Sequence, residues 1–348
     1  MANARTALPR SIALLRHTID ERGTTSSTSE YARFSKEYLG LKPLLLYVHA
    51  SNAAVLTRWR SHFKVVLQLS EITQDRQLST ASVAGWLKRQ QVAGLYIQTH
   101  GAYSKGTTIR GLNLLDLPRY GVRLLVHAVF SALLPWPNAT YARISACVPS
   151  LPSLNVPVVP YVVQPLGAAS GPNLRRRLGL SSSQTVFCRH GGLNTFNIDF
   201  VRSAVCRVAR ERRDSVAFVF VNTRPVCRPA GPNIVHIHQI VDDELKAAFI
   251  RSCDAMLHAR LEGETFGMAV AEFSALNKPV LTYMYPPEKA RTHLDILGQK
   301  ALAYTSETHL RHLLINFNRS FAAAVDWNAY REYAPGAVMA KFKRVFLR

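Results

Sequence analysis

The sequence predicts an α/β protein with two doubly wound, mainly parallel sheets, one in each half of the chain. Apolar, strand-like runs alternate with helix-like segments almost throughout. Residues 164–173 interrupt this alternation with a stretch rich in proline, glycine and small side chains, which is typical of a linker. A chain of 348 residues is long enough for two domains that each bury a core.

The first half of the chain is predicted to supply seven strands and three helices. Strands are expected at residues 12–15, 44–48, 65–69, 95–98, 122–126, 142–147 and 157–163. Helices are expected at residues 30–39, 52–63 and 80–90, and a polar, glycine-containing loop is expected over residues 21–29.

The second half repeats the alternation. Strands are expected at residues 185–188, 216–221, 234–237, 253–257 and 279–283, and helices at 198–212, 242–252 and 307–317. The helix from 242 opens on two acids, which suit the positive end of a helix dipole. An amphipathic helix is expected over 327–346. Because ligands bind at the carboxyl ends of strands in open α/β sheets, two such sheets predict a cleft between these edges.

The charge and apolar content exclude a disordered chain and predict a surface that attracts anions. The formal net charge is +21, the hydrophobic content is 48% and the charged content is 19%. The basic residues are dispersed and carry no interleaved aromatic or helix-turn-helix pattern, so a nucleic-acid partner is not expected. Weak association with an anionic membrane surface is compatible with this charge.

The cysteine pattern and the lack of long apolar runs predict a cytoplasmic chain. The five cysteines show no CxxC or CxxH spacing and are odd in number, so buried reduced thiols are expected. No apolar run reaches the length needed to span a bilayer, and the first residues lack a secretory-type apolar core.

The most specific sequence feature is the stretch 257–283, which reads LHARLEGETFGMAVAEFSALNKPVLTY. Its pattern predicts a strand, a tight loop, a helix and a second strand. Seven residues separate Glu264, beside the loop, from Glu272, inside the helix. A loop that feeds a helix start presents free backbone N–H groups to a phosphate. Two carboxylates on either side of that phosphate would hold hydroxyl groups, which describes a nucleotide-sugar.

This pattern resembles the retaining family 4 of the GT-B glycosyltransferases. Glu264, Phe266, Gly267 and Glu272 match that family's signature, whereas Thr265 replaces its usual first glycine. The resemblance implies two Rossmann-like domains facing across a cleft. An acceptor-side domain would span residues 1–165 and a donor-side domain 166–326, with a last helix over 327–348 crossing back to the first.

The resemblance also implies a donor site in the second half. Arg189 matches an arginine that grips the diphosphate, but the lysine expected shortly after it is absent. Two cations hold a diphosphate better than one. Either hydroxyl, amide and backbone groups of residues 191–195 therefore substitute for the lysine, or donor binding is weak or altered. The implied donor-binding residues are Gly191, Gly192, Asn194, Thr195, Ile240, Val241, Thr265, Phe266, Gly267, Met268, Ala269 and Glu272.

In the first half the resemblance suggests two further contacts. His127 follows a strand and is the candidate for orienting the transferred sugar. Gly23, Thr24 and Thr25 would form an acceptor-side loop after the first strand. His236 and His238 are expected to pack in a strand, because no third metal ligand is near them in sequence.

The resemblance implies a retaining transfer of a sugar from a nucleoside-diphosphate donor to a hydroxyl of a glycan, a glycoprotein or a lipid. Glu264, His127 and Arg189 would be the catalytic residues. No cofactor and no metal are expected, since no strand is followed by an Asp-any-Asp motif. Two alternatives stay open: a sugar phosphorylase or epimerase on the same fold, and a polyanion-binding protein on a decayed scaffold.

Overall fold

The computed structural model describes residues 10–20, 23–73, 78–102, 107–109, 111–164, 166–167 and 174–348. The chain divides into two compact units: Met1–Val162 with Pro335–Arg348 form the first, and Val163–Ala334 form the second. Most of the predicted linker at 164–173 falls outside the described residues. The sequence predicts domain limits after residues 165 and 326, and the observed divisions lie after residues 162 and 334.

The first unit is a parallel sheet with helices packed on it. Its elements are β1 (Ser11–Ile19), α1 (Gly23–Leu39), β2 (Lys42–Ala50), α2 (Ala53–Trp59), β3 (Val65–Gln68), α3 (Thr80–Arg89), β4 (Val92–Thr99), β5 (Thr108–Ile109), β6 (Leu112–Asn113), β7 (Leu124–Ala128) and β8 (Ala139–Arg143). Six of these strands form one sheet in the order β3-β2-β1-β4-β7-β8, with all neighbours parallel. β5 and β6 form a separate antiparallel pair.

The central strands of this sheet are covered on both faces, and their sequences show why. β7 reads LLVHA and is buried at every position, as expected for a strand between two layers of helices. Local signals start the helices: the Asn52 side chain accepts from Val55 N at the start of α2, and Ser79 and Ser82 form a reciprocal cap at the start of α3.

The start of α1 differs from the prediction. α1 begins at Gly23, so residues 23–29 are helical rather than the expected loop; residues 21 and 22 lie outside the described chain. Thr25, Ser27 and Thr28 are buried, and the hydroxyls of Ser27 and Thr28 donate to the carbonyl of Thr24. These internal bonds satisfy the hydroxyls that otherwise disfavour a helix interior, and small side chains allow close packing.

The second unit repeats the same architecture. Its elements are α4 (Leu174–Arg177), β9 (Thr185–Arg189), α5 (Asp199–Glu211), β10 (Val216–Val221), β11 (Ile234–Ile237), α6 (Asp243–Ser252), β12 (Ala255–His258), β13 (Gly263–Glu264), α7 (Met268–Ala275), β14 (Val280–Tyr283), β15 (Ala290–Arg291), α8 (Thr292–Leu297), β16 (Ala301–Tyr304), α9 (Glu307–Ile315) and α10 (Arg319–Ala324). The main sheet is parallel in the order β11-β10-β9-β12-β14-β16.

Both sheets therefore have the strand order of a Rossmann fold, numbered within each sheet as 3-2-1-4-5-6. In the second sheet the order reverses between β9 and β12. This switch point is where a doubly wound sheet binds ligands, outside the carboxyl ends of the strands. The predicted fold of two Rossmann-like units is confirmed.

The last helix belongs to the first unit. It is α11 (Pro335–Phe346), and it packs against α1 and β8. The helix expected from residue 327 starts only at Pro335, whose fixed φ suits the first helical turn. Before it, Trp327 is buried and donates its indole N–H to the carbonyl of Ala322.

The strand expected at 157–163 is also absent as a regular element. Val158 makes only an isolated parallel bridge to Arg143. Pro157 and Pro160 lack the N–H groups that a continuous ladder needs. The strand expected at 142–147 is shifted toward the N-terminus and ends at Arg143.

The cysteine prediction is wrong. Cys188 and Cys253 form one disulfide, and Cys206 and Cys227 form another, whereas Cys147 belongs to neither pair. The first pair is 65 residues apart in sequence. The pairing of β9 with β12 brings its two cysteines together, and spacing along the chain carries no sign of this. The pairs remove the argument that reduced thiols indicate a reducing compartment.

Among the described residues, no helix combines the length and the apolar character required for crossing a lipid bilayer.

Candidate functional site

The predicted donor-site residues of the second unit gather at the carboxyl edge of its sheet. Arg189 ends β9 and His258 ends β12, on the two sides of the switch point. Thr282 lies near the end of β14, the next strand along the sheet. The loops that follow these strands carry the remaining residues of the site.

The start of α7 provides the backbone groups that the sequence predicts for a phosphate. Gly267 is the N-cap residue with φ of +84°, and among the described residues no side chain is found to cap the first turn. A Cβ at this position would lie 3.0 Å from the Cβ of His293 and 3.4 Å from that of Glu264. Only glycine fits this left-handed, crowded position. Met268 and Ala269 follow it in the first turn of the helix, where backbone N–H groups lack an acceptor within the helix.

Glu264 is held on both carboxylate oxygens. Nη1 of Arg260 lies 2.9 Å from Oε2, and Nε2 of His258 lies 3.5 Å from Oε1. Burial raises the pKa of the Glu264 carboxyl, but the hydrogen bond from His258 and the charge of Arg260 outweigh it and lower the pKa to about 2. At neutral pH the group is therefore a carboxylate, which accepts hydrogen bonds and donates none.

Glu272 has a matching environment in α7. Nζ of Lys246 lies 2.5 Å from Oε1, and Nε2 of His190 lies 2.9 Å from Oε2. Burial raises the pKa of the Glu272 carboxyl, but the charges of Lys246 and His190 bring it down to about 2. Each glutamate of the pair is thus ionised and flanked by one cation and one histidine.

Arg189 is engaged by the protein itself. Its side chain is 3% exposed, and its Nη1 donates to the carbonyl of Asn222 and to the hydroxyl of Thr223. Its Nη2 donates to the carbonyl of Gly192 at 2.8 Å and to the hydroxyl of Thr195 at 2.6 Å. Burial lowers the pKa of Arg189 to about 10. The contacts show an arginine that shapes the loop after β9, in contrast to the direct grip on a diphosphate that was expected.

The loop itself is compact. Gly191 has φ of +157° and its carbonyl accepts from the side chain of Asn222. The Thr195 hydroxyl donates to the carbonyl of Gly192, and the side chain of Asn194 accepts from Arg224 at 2.5 Å. Hydroxyl, amide and backbone groups thus fill the loop in which a lysine was expected.

The other predicted donor residues occupy different settings. Ile240 and Val241 lie half-buried in the segment between β11 and α6. Phe266 is 1% exposed and packs against Tyr330 and Tyr333, so its ring anchors the loop before α7. Thr265 beside it is half-buried.

His127 has a packing role, which corrects the expected contact with a sugar. It is completely buried in the first unit. Its Nδ1 is bonded to the hydroxyl of Tyr96 and its Nε2 to the carbonyl of Val159, both at 2.7 Å. Burial lowers its pKa to about 4. With both ring nitrogens satisfied inside the core, the imidazole has no free group for a ligand.

The predicted acceptor-side residues Gly23, Thr24 and Thr25 form the first turn of α1 instead of a loop. The guanidinium of Arg16 donates to the hydroxyls of Thr24 and Thr25. Thr25 in turn donates to the carboxylate of Asp20 at 2.6 Å. Two of these residues therefore stabilise the junction of β1 and α1.

Four partners of the glutamates were missed by the sequence: His190, Lys246, His258 and Arg260. Arg260 precedes Glu264 by four residues and His190 follows Arg189 directly, so proximity along the chain offered a signal for these two. Lys246 on α6 and His258 at the end of β12 meet the glutamates only in the folded protein, which no local pattern shows.

No protein-family model matches the chain, and no curated protein matches it in sequence. Solved structures, however, match it over almost its whole length. HepE of Anabaena, crystallised with UDP-glucose, is 13% identical, with a TM-score of 0.68 over 96% of this chain and 98% of that one. The pneumococcal O-GlcNAc transferase GtfA, crystallised with UDP and GlcNAc, is 10% identical, with a TM-score of 0.66 over 97% and 98%.

A glycosyltransferase of Rickettsia africae is 11% identical and reaches a TM-score of 0.63 over 97% of this chain and 96% of that one. At such low identities the likeness concerns architecture, and it agrees with the strand order of both sheets. The protein has the GT-B fold of the glycosyltransferases.

Proposed function

We propose that the protein is a retaining glycosyltransferase that moves a sugar from a nucleoside-diphosphate donor to an acceptor hydroxyl. The observation that carries the proposal is the pair Glu264 and Glu272, which flank the uncapped start of α7 at the carboxyl edge of a Rossmann-type sheet. The structural likeness to HepE, which was crystallised with UDP-glucose, supports the same class of donor.

The start of α7 would receive the diphosphate. The N–H groups of Met268 and Ala269 carry no side-chain cap, and the helix dipole adds positive potential at the same point. As the bond between sugar and phosphate breaks, negative charge grows on the departing diphosphate. Fixed N–H groups stabilise that charge without reorganising, which is the largest kind of contribution to many transfer reactions.

The two carboxylates would hold the polyols on either side. Glu264 would accept from hydroxyls of the donor sugar, and Glu272 would accept from the ribose. Both groups are ionised, and each oxygen has a second lone pair beyond its protein contact. Because Arg260 and Lys246 neutralise them, the carboxylates would not repel the diphosphate beside them.

Arg260 is the cation that we expect to face the phosphates. Its side chain is 28% exposed, and Nη1 is bound to Glu264. No hydrogen bond to its Nη2 is found in the described part of the chain. Arg189 would act indirectly, by holding Gly192 and Thr195 in place. With cationic side chains and helix N–H groups around the diphosphate, transfer would need no metal ion, and EDTA should leave turnover unchanged.

The acceptor would supply one hydroxyl, from a glycan, a glycoprotein or a lipid. The leaving phosphate oxygen would take its proton as the new glycosidic bond forms on the face from which the phosphate departs. No second carboxylate is then required as a nucleophile. Weak association with an anionic membrane, suggested by the net charge of +21, would bring a lipid acceptor close.

The test starts with a thermal-shift screen against UDP-, GDP- and ADP-sugars. A ligand at 100 times its dissociation constant stabilises the folded state by about 2.7 kcal/mol, which gives a clear shift. The donor that binds is then supplied with a labelled sugar, with and without candidate acceptors. Transfer with retained anomeric configuration supports the proposal. Release of the sugar by inorganic phosphate, or salt-sensitive binding of nucleic acid without any nucleotide-sugar binding, would contradict it.

A further inference from the structure

A chain of four side chains in the second unit ends at Glu264. Nε2 of His293 lies 3.1 Å from Oγ1 of Thr282, and this Oγ1 lies 2.9 Å from Nδ1 of His258. Nε2 of His258 then lies 3.5 Å from Oε1 of Glu264. The chain connects α8, β14, β12 and β13 in that order.

The chain is closed off from solvent behind the carboxylate. Thr282 and His293 are completely buried, and His258 is 6% exposed. Buried polar groups of this kind are expected to find partners inside the protein, because water cannot satisfy them. The bonds between these side chains are therefore strong determinants of their orientation.

The charge of Glu264 sets the direction of the first hydrogen bond, and the other directions follow for a neutral His258. A carboxylate only accepts, so Nε2 of His258 must carry the proton. In a neutral imidazole the other nitrogen is then bare, and Nδ1 of His258 accepts from the hydroxyl of Thr282. The oxygen of Thr282, having donated its proton to that bond, accepts from Nε2–H of His293.

The far end of the chain agrees with this order. Nδ1 of His293 has no hydrogen-bond partner in the described part of the protein. Burial lowers the pKa of His293 well below its usual range, so the ring is neutral. In the direction given above, the unpartnered atom is a bare nitrogen. The reverse direction would leave an N–H group buried without an acceptor, which is the more costly defect.

The backbone around Glu264 is also fixed. The hydroxyl of Tyr304 donates to the carbonyl of His258 at 2.7 Å, and that of Tyr285 donates to the carbonyl of Arg260 at 2.6 Å. His293 lies directly beneath Gly267, at the start of α7. A change in the ring of His293 would thus be felt both by the carboxylate and by the helix start.

We propose that Thr282 and His293 are positioning residues, which hold His258 in its Nε2–H tautomer so that His258 fixes the carboxylate of Glu264 for the donor sugar. This inference rests on the proposed function for its catalytic meaning, but the tautomer is a property of the protein alone. His258 and Arg260 each occupy one oxygen of Glu264, which leaves defined lone pairs for the sugar hydroxyls.

The tautomer can be measured directly. Full-length protein labelled with ¹⁵N in its histidine rings is studied by NMR, and the signals of His258 are assigned with the variant His258→Gln. We expect one protonated nitrogen at Nε2 and one bare nitrogen at Nδ1 in the wild type. An Nδ1–H tautomer or a doubly protonated ring at neutral pH would overturn the proposal, whether or not the protein transfers sugars.

Variants then test the effect on transfer. Thr282→Val keeps the shape of a β-branched side chain in β14 but removes the hydroxyl, whereas Thr282→Ser keeps the hydroxyl and serves as the matched control. We expect Thr282→Val to lower kcat roughly 10-fold, as for lost outer hydrogen-bond partners of catalytic groups. The KM for the donor should stay within about twofold, because an orientation needed in the transition state is lost.

A second variant shows whether the residues act as one chain. His293→Phe removes both ring nitrogens, and we expect a similar fall in kcat. The double variant Thr282→Val with His293→Phe should be no slower than either single variant. Either substitution alone already interrupts the series of hydrogen bonds to His258, so the second removes nothing more. Additive losses, or a Thr282→Val protein with unchanged kcat and an unchanged His258 tautomer, would overturn the proposal.

The two proposals fail in different ways. If the wild-type protein binds no nucleotide-sugar while His258 shows the Nε2–H tautomer, the proposed function is contradicted, but the positioning role of Thr282 and His293 is supported. If the wild type transfers sugar but Thr282→Val behaves like Thr282→Ser in both kcat and NMR, the positioning role is contradicted and the proposed function is supported.

Discussion

Nζ of Lys246 lies 2.5 Å from Oε1 of Glu272, so α6 supplies the cation for a carboxylate on α7. The resemblance to the family 4 glycosyltransferases implies a lysine in the loop after Arg189, and that loop has none. Lys246 lies on α6, far along the sequence from that loop. It brings a positive charge to the second glutamate from a different element, and the lysine side chain is only 15% exposed.

A double-mutant cycle should measure this pair. Lys246→Met leaves the Glu272 carboxylate without its cation, so we expect it to destabilise the protein more than Glu272→Gln does. The double variant should recover part of the loss, with an interaction energy of about 1–3 kcal/mol. Urea unfolding of the four proteins gives these values. An interaction energy below about 0.3 kcal/mol would show that the two groups do not interact.

The stability contributed by Glu272 should depend on pH in a defined window. The carboxyl has a pKa of 4.5 when unperturbed and about 2 in the folded protein. The unfolded chain therefore binds more protons between these values, and stability rises with pH there. The contribution is complete above pH 4.5 and is lost as the pH falls to about 2.

Unfolding of wild type and Glu272→Gln, followed across this window, checks the prediction. The difference in unfolding free energy between the two proteins should shrink as the pH falls. Glu288→Gln, which removes one carboxylate at an exposed position, is the matched control. A difference for Glu272→Gln that is constant with pH would show that the carboxyl is not held in its charged form.

His127 should matter for the stability of the first unit and not for transfer. Glutamine at this position can still accept from Tyr96 and donate to Val159, so we expect turnover of His127→Gln within about twofold of wild type. In the wild type, the folded-state pKa of about 4 lies below the unfolded value of 6.5, and stability is lost as the pH falls between them.

The variant His127→Gln lacks this titration, so its stability should be flatter between pH 6.5 and about 4. Unfolding experiments across that range, together with turnover at neutral pH, separate the two roles. A variant with normal stability but a large loss of kcat would support the catalytic role that the family resemblance implies for His127.

The two disulfides predict a thiol count. Of the five cysteines, only Cys147 should react with a thiol reagent in denaturant without reductant, and all five should react after reduction. Because Cys188 and Cys253 close a loop of 65 residues, we expect loss of this bond alone to lower stability by about 4 kcal/mol in the chain-entropy description. Five reactive thiols in unreduced protein would support the cytoplasmic, fully reduced chain expected from the sequence.

The strand order and the glutamate pair illustrate what local patterns can predict. The apolar runs of β9, β10 and β12 are continuous because parallel strands are buried on both faces, and such runs are visible in the sequence. Gly267 and the spacing of Glu264 from Glu272 mark a helix start with acids on both sides of it. These features depend on residues that are neighbours along the chain.

The errors depend on residues that meet only in the folded protein. Nothing near His127 in sequence reveals that Tyr96 and Val159 take both of its nitrogens. The same holds for Cys188, whose partner lies beside it only because β9 and β12 are neighbours. The serine and threonine residues of α1 predict a loop because they disfavour helix interiors, although their hydroxyls bond within the helix.

The most direct test of the account is the turnover of Glu264→Ala with the donor that the wild type uses. Loss of one strong contact to the transition state costs about 2.7–4 kcal/mol, so turnover should fall 100-fold or more. Circular dichroism and the unfolding midpoint should show an intact fold, and Glu288→Gln should keep wild-type turnover. If Glu264→Ala folds normally and transfers sugar at nearly the wild-type rate, the proposed role of this carboxylate is contradicted.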